Sequence, residues 1–120
     1  MKVPLQISFH NVDHSDAVEE RVRERAEKLE QFHNQIISCR VVIEAPHKHQ
    51  TQGTLYNVRV DVKIPGHEFI HKGDKGDHSH EDAYVAVRDA FDSIERQVRK
   101  FNERNNKGSA QRHKAAAVNE

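Results

Sequence analysis

The residue pattern predicts an α+β domain of element order β-α-β-β-β-α, a four-stranded mixed sheet with two helices packed on one face. Three observations predict it. Residues 54–64 alternate strictly, with Tyr56, Val58, Val60, Val62 and Ile64 against Asn57, Arg59, Asp61 and Lys63, as a strand with one wet face does. Residues 15–32 and 79–104 instead repeat apolar side chains at three- and four-residue steps, the period of a helix lying on a core. The first of these helices separates two strand patterns and so predicts a right-handed parallel crossover, whereas the joins at 46–53 and 65–66 have hairpin length. A chain of 120 residues suits one domain, placed at 1–104, followed by a flexible tail at 105–120.

Val3 to Phe9 is the expected first strand, with Val3, Leu5, Ile7 and Phe9 on the core side, and Pro4 suits an edge because it lacks an N–H. Asn11 to His14 reads as a turn. Ser15 can then cap a helix to Phe32, whose apolar stripe is Val18, Val22, Ala26, Leu29 and Phe32. Arg25 sits among these apolar positions, so its charge is expected to snorkel outward. Ile36 to Ala45 is a second strand ended by Pro46, and 46–53 is a polar loop. After the Pro65-Gly66 turn, His67 to Lys72 makes a short fourth strand. Gly73 to His80 is a loop, and Ser79 with Asp82 fits a capping box opening the long helix to Arg104. Its stripe is Ala83, Val87, Ala90, Phe91, Ile94, Val98 and Phe101.

Nineteen Lys and Arg balance nineteen Asp and Glu, so no global field draws in a polyanion and any nucleic-acid role must rest on local asymmetry. That asymmetry exists. Residues 79–95 hold five acidic side chains against Arg88, whereas 96–114 hold seven basic ones against Glu103. Part of this gradient suits the helix dipole, but a dipole does not call for so many cations. On the first helix, Arg21, Arg25 and Lys28 line one flank, opposite Glu19, Glu27 and Glu30. Cations held on rigid helices at this density suit phosphate contacts along a polyanion.

Other chemistries find less support. Cys39 is the only cysteine, so an internal disulfide and a thiolate zinc cluster are both excluded, and a buried strand residue is its expected role. No P-loop, Rossmann, G-x-S-x-G or H-E-x-x-H pattern occurs, so neither an enzyme nor a cofactor is expected. Ten histidines include the pairs His47/His49 and His78/His80, which frame an alternative as a metal-responsive interaction protein, although no metal site is assigned. A free double-stranded RNA-binding module is a third reading, disfavoured by the zero net charge. No apolar run of membrane length appears, and a cytoplasmic protein without membrane partners or a small-molecule substrate is expected.

The pattern resembles the ribosome hibernation-promoting factor and ribosome-associated inhibitor family, also called sigma-54 modulation proteins, over residues 2–104. The resemblance is carried by S-x-A-V-x-E-x-V-x-x-R-x-x-K-L-E-x-F from Ser15 to Phe32 and by the I-P-G turn at Ile64 to Gly66. It is most specific in E-D-x-Y-x-A-V from Glu81 to Val87 and D-x-x-x-R-Q-V-x-K from Asp92 to Lys100. It implies a non-enzymatic factor that binds the small ribosomal subunit and its rRNA in the mRNA and tRNA channel and silences idle ribosomes. By matched position, Arg25, Lys28, Arg96 and Lys100 would contact rRNA. Local charge adds Arg21, Arg99 and Arg104, and the hairpin tip His47, Lys48 and His49 is a possible further RNA contact. Ser93 and Asn102 stand where family members often carry lysine, which would shift the phosphate-binding face toward Arg99 and Arg104. The chain ends about sixteen residues past the matched core, so the resemblance is to the short form without the dimerisation domain, and both promotion and blocking of ribosome pairing stay open.

Overall fold

The computed structural model describes residues 3–45, 48–49, 53–54, 56–73 and 82–116, with the backbone alone described at 48–49, 53–54 and 105–116. The elements are β1 (Gln6–His10), α1 (Asp16–Phe32), β2 (Ser38–Glu44), β3 (Lys48–His49), β4 (Gly53–Thr54), β5 (Asn57–Ile64), β6 (His67–His71) and α2 (Ala83–Ala116). The main sheet has the order β1-β2-β5-β6. Strand β1 pairs parallel to β2 through Gln6↔Arg40 to His10↔Glu44, and the other two pairings are antiparallel. The expected parallel crossover and Pro65-Gly66 hairpin are both present, and Gly66 takes the positive φ of 77° that the second central position of such a turn requires.

Alternation along the strands decides which face is covered. Cys39, Val41 and Ile43 of β2, Val58, Val60, Val62 and Ile64 of β5, and Phe69 of β6 point into one core with Val18, Val22, Ala26 and Leu29 of α1. From α2, that core receives Ala86, Val87, Ala90, Phe91, Ile94 and Val98. Both helices therefore lie on the same side of the sheet. The opposite face is left with Arg40, Val42, Glu44, Arg59 and Asp61, which border an open concavity of about 320 Å³.

Local signals fix the element ends. Ser15 Oγ accepts a hydrogen bond from the Val18 N–H at 3.3 Å, satisfying one orphan donor at the start of α1. Asn11, at φ 59°, turns the chain out of β1 and donates through Nδ2 to the Ala45 carbonyl at 2.6 Å. Asp82 accepts from the Tyr84 N–H at 2.8 Å at the start of α2, while the capping role expected of Ser79 lies outside the described residues. Gln97 Nε2 donates to the Ile70 carbonyl at 3.0 Å, pinning α2 onto the edge strand β6.

Four expectations are corrected. Strand β1 begins at Gln6 rather than Val3, and Val3 is exposed; the segment before it holds Pro4, which cannot donate to a ladder. Residues 46–53 are not wholly loop, because Lys48–His49 pairs antiparallel with Gly53–Thr54. The ladder of β2 with β5 stops at Glu44↔Asn57, where the Ala45 N–H turns to the His10 carbonyl, so the strand expected from Thr54 is split in two. Phe32 is not core. Helix α1 ends on it, with His33 leaving at φ −148°, and the residue stays 46% exposed.

Helix α2 also continues past the end of its apolar stripe. Its backbone stays helical to Ala116, about 50 Å from Ala83 at 1.5 Å per residue. Residues 105–116 include the weak helix formers Asn105, Asn106, Gly108 and Ser109 beside Lys107, Ala110, Gln111 and Arg112, so propensity by itself does not account for the continuation, and the division at 104 is not a helix end.

Cys39 is buried, as its position in β2 requires. Burial, with the Asp61 and Glu30 carboxylates adding to it, pushes its thiol up to about 12. The thiolate is the reactive form, so iodoacetamide at pH 8 is expected to leave the folded protein unlabelled over hours and to alkylate Cys39 within minutes in denaturing urea. Mass spectrometry reads the difference, and rapid labelling of the folded chain would contradict the burial.

Candidate nucleic-acid interface

The two helices run parallel, side by side, and their facing rows form the outer groove of the molecule. On α1 the row is Arg21, Arg25, Lys28 and Phe32, and on α2 it is Arg88, Asp92, Glu95, Arg99 and Asn102, each at helical steps of three or four. Contacts across the groove fix the register. The Arg21 guanidinium lies 5.3 Å from the Tyr84 ring centroid near one end, and Phe32 and Asn102 border one concavity at the other.

Arg25 is the structural centre of this groove. Its side chain is 14% exposed and its Nη2 donates to Asp92 Oδ1 at 2.8 Å and Glu95 Oε2 at 2.9 Å. The guanidinium also sits 5.8 Å from the Phe91 ring centroid. Burial would lower its pKa, but the hydrogen bonds to Asp92 and Glu95 outweigh that and hold the group above its ordinary value. Its position among apolar residues predicts a charge that snorkels outward to water. The structure turns it sideways into two carboxylates of α2, because a neighbouring helix offers partners that an isolated helix lacks.

The other predicted cations are placed differently. Lys28, Arg96, Arg99, Lys100 and Arg104 are exposed, and among the described residues none of them is in an ion pair. Arg96, Lys100 and Arg104 repeat every four residues and form one row on α2, about 12 Å from first to last. Arg99 lies one turn beyond Glu95 and so joins Lys28 in the groove. Arg21 pairs with Glu24 at 3.4 Å in an exposed contact of small energetic weight. The hairpin of β3 and β4 contains Lys48 and His49, whose backbone alone is described, while His47 lies outside the described residues.

The acidic end carries its own pairs. His14 Nε2 lies 2.7 Å from Glu19 Oε1, and Arg23 donates to Glu19 Oε2 at 2.8 Å. Hydrogen bonds from His14 and then Arg23 hold the Glu19 carboxyl below its ordinary range. His14, Asp16 and Glu19 could converge on a cation, but Arg23 already serves as one for Glu19. Of the loop histidines, His47, His78 and His80 lie outside the described residues.

Sequence reasoning missed Phe32 and Tyr84 as surface groups of this groove, whereas it places Asn102 on the polar face of the second helix. The three-residue step from Leu29 to Phe32 made the ring look like core, and only the helix end beneath it shows otherwise. Among the described residues no helix is long and apolar enough to cross a membrane.

Comparison with known proteins agrees with this architecture. The chain is 29% identical over 99 residues to a ribosome hibernation promotion factor of Deinococcus radiodurans, covering 82% of this chain and 49% of that protein. It thus spans about half the length of this curated relative. Its fold is similar to the N-terminal domain of Thermus thermophilus Protein Y, with a TM-score of 0.63 at 20% identity, covering 84% of this chain and 99% of that one. A ribosomal subunit interface protein from Coxiella burnetii is similar in fold at a TM-score of 0.62 and 18% identity, covering 82% of this chain and 97% of the other. Residues 5–106 match the family described as sigma 54 modulation protein / S30EA ribosomal protein, and the chain belongs to that family.

Proposed function

We propose that this protein binds the small ribosomal subunit through the basic end of its helix pair, occupies the mRNA and tRNA channel, and so silences idle ribosomes. The observation that carries the reading is the division of labour among the cations. Arg25 is engaged inside the protein, whereas Lys28, Arg96, Arg99, Lys100 and Arg104 stand exposed without an intramolecular counter-charge among the described residues. Family membership and the similarity to a hibernation factor support a ribosomal partner. Phosphate contacts would supply affinity and the shape of the channel specificity, with no catalytic step and with the cytoplasm as the place of action. Arg25 then acts as a positioning residue that fixes the spacing of the two basic rows.

The reading predicts cosedimentation with purified small subunits at low salt. Five phosphate contacts at about 0.7 counterions each would weaken binding by roughly two orders of magnitude between 50 and 200 mM salt. Free migration of the protein at low salt beside saturating subunits would overturn it. Equal affinity for a naked RNA duplex would point to a general RNA binder instead.

A further inference from the structure

Beyond the phosphate-binding rows, the groove holds an element that charge does not explain. Phe32 is 46% exposed at the last turn of α1, at the end where Lys28 and Arg99 lie. It borders a shallow concavity of about 300 Å³ whose other walls are Gln31, His33, Asn34 and Asn102. The wall behind is built from packed rings. His33 lies 6.4 Å from the Phe101 ring, which stacks on His67 at 4.8 Å and meets Phe69 edge-on at 5.5 Å.

We propose that Phe32 is a stacking platform for one unpaired RNA base, with the surrounding amides reading its edge while Lys28 and Arg99 hold the flanking phosphates. The proposal rests on the ribosome-binding reading and adds to it a contact that discriminates single-stranded from helical RNA. The chemistry fits an unpaired base on three counts. An exposed ring offers a π-face to any base, and the amides of Gln31, Asn34 and Asn102 each offer both donors and acceptors to a base edge. The cations lie within a turn of the ring along each helix, where the phosphates of a bound nucleotide would need them. A protein partner fits less well, because one phenyl ring amid amides and cations is too small an apolar patch for a stable protein interface.

The test compares wild type with Phe32→Ala, Phe32→Leu, Phe32→Tyr and Phe32→Trp in cosedimentation with purified small subunits, each checked first by thermal melting. Because nearly half of Phe32 is exposed and the residue lies outside the core cluster, the melts should stay close to wild type. Stacking predicts that Ala and Leu each raise Kd about tenfold while Tyr retains wild-type affinity, since Leu keeps apolar bulk but has no π-face. Phe32→Trp introduces the only tryptophan in the chain, and its emission should be quenched when the protein binds. Unchanged affinity of the Ala and Leu variants would overturn the proposal, as would unquenched tryptophan emission in a bound complex. A blue shift without quenching would identify an apolar protein surface over the ring instead of a base. If wild type itself fails to cosediment, the ribosome reading falls and the stacking contact with it; if wild type binds and the Phe32 variants behave like it, stacking alone falls.

Discussion

Replacing Arg25 by methionine is expected to lower the melting temperature by roughly 10 °C, corresponding to a loss of about 2–4 kcal/mol. The cost comes from what is left behind. Glu95 is only 10% exposed and would be left without its ion-pair partner, whereas Asp92, at 45% exposure, is still served by water. Removing one member of a largely buried pair is costly even where the intact pair contributes little, because desolvation of the remaining charge goes uncompensated. Two companion variants separate this from lost packing. Glu95→Gln should cost much less, since Asp92 remains to neutralise Arg25. Arg25→Met combined with Glu95→Leu should recover most of the loss, because both buried charges are then gone. Differential scanning calorimetry reads all three. If Arg25→Met melts like wild type and instead binds ribosomes weakly, Arg25 meets RNA directly and the bridge is incidental.

The double variant Arg96→Glu with Lys100→Glu should behave in the opposite manner. Both side chains are exposed and neither is in an ion pair among the described residues, so the melt should stay within about 0.5 kcal/mol of wild type. Affinity for the small subunit should fall at least about a hundredfold, because two phosphate contacts become repulsions and the counterions they would release are no longer gained. The slope of log K against log salt should flatten by one to two, which a merely misfolded population would not produce. An unfolded double variant would make these residues structural. A stable one with undiminished binding would remove this row of α2 from the interface.

Arg25 and Lys28 are three residues apart on one helix and match the same family pattern, and nothing in the one-dimensional sequence separates their fates. The difference comes from α2, whose Asp92 and Glu95 lie opposite Arg25 although they are 67 and 70 residues away in the chain. Phe32 shows the converse error. Its spacing from Leu29 is that of a core residue, but burial needs a second surface, and the chain leaves the helix at His33 before one is supplied.

Local pattern was sufficient where one short-range cause dominates. Strict alternation over 57–64 fixed which face of β5 is buried, since a one-residue slip would put every valine in water. The Ser15 cap and the Pro65-Gly66 turn are likewise local devices, and both are found where the residues place them. The end of α2 was not legible, because the apolar stripe stops at Phe101 and weak helix formers follow at 105–109, whereas helical backbone persists to Ala116.

The sequence by itself thus determined the element order, the parallel crossover, the buried face of the sheet and the charge gradient of the long helix, since each depends on periodicity or on a residue's own chemistry. Only the tertiary structure decided which cations stand exposed without an ion pair among the described residues and which are engaged within the protein. That distinction depends on what lies across the groove, and the groove exists only once two helices far apart in the chain have been laid on the same sheet.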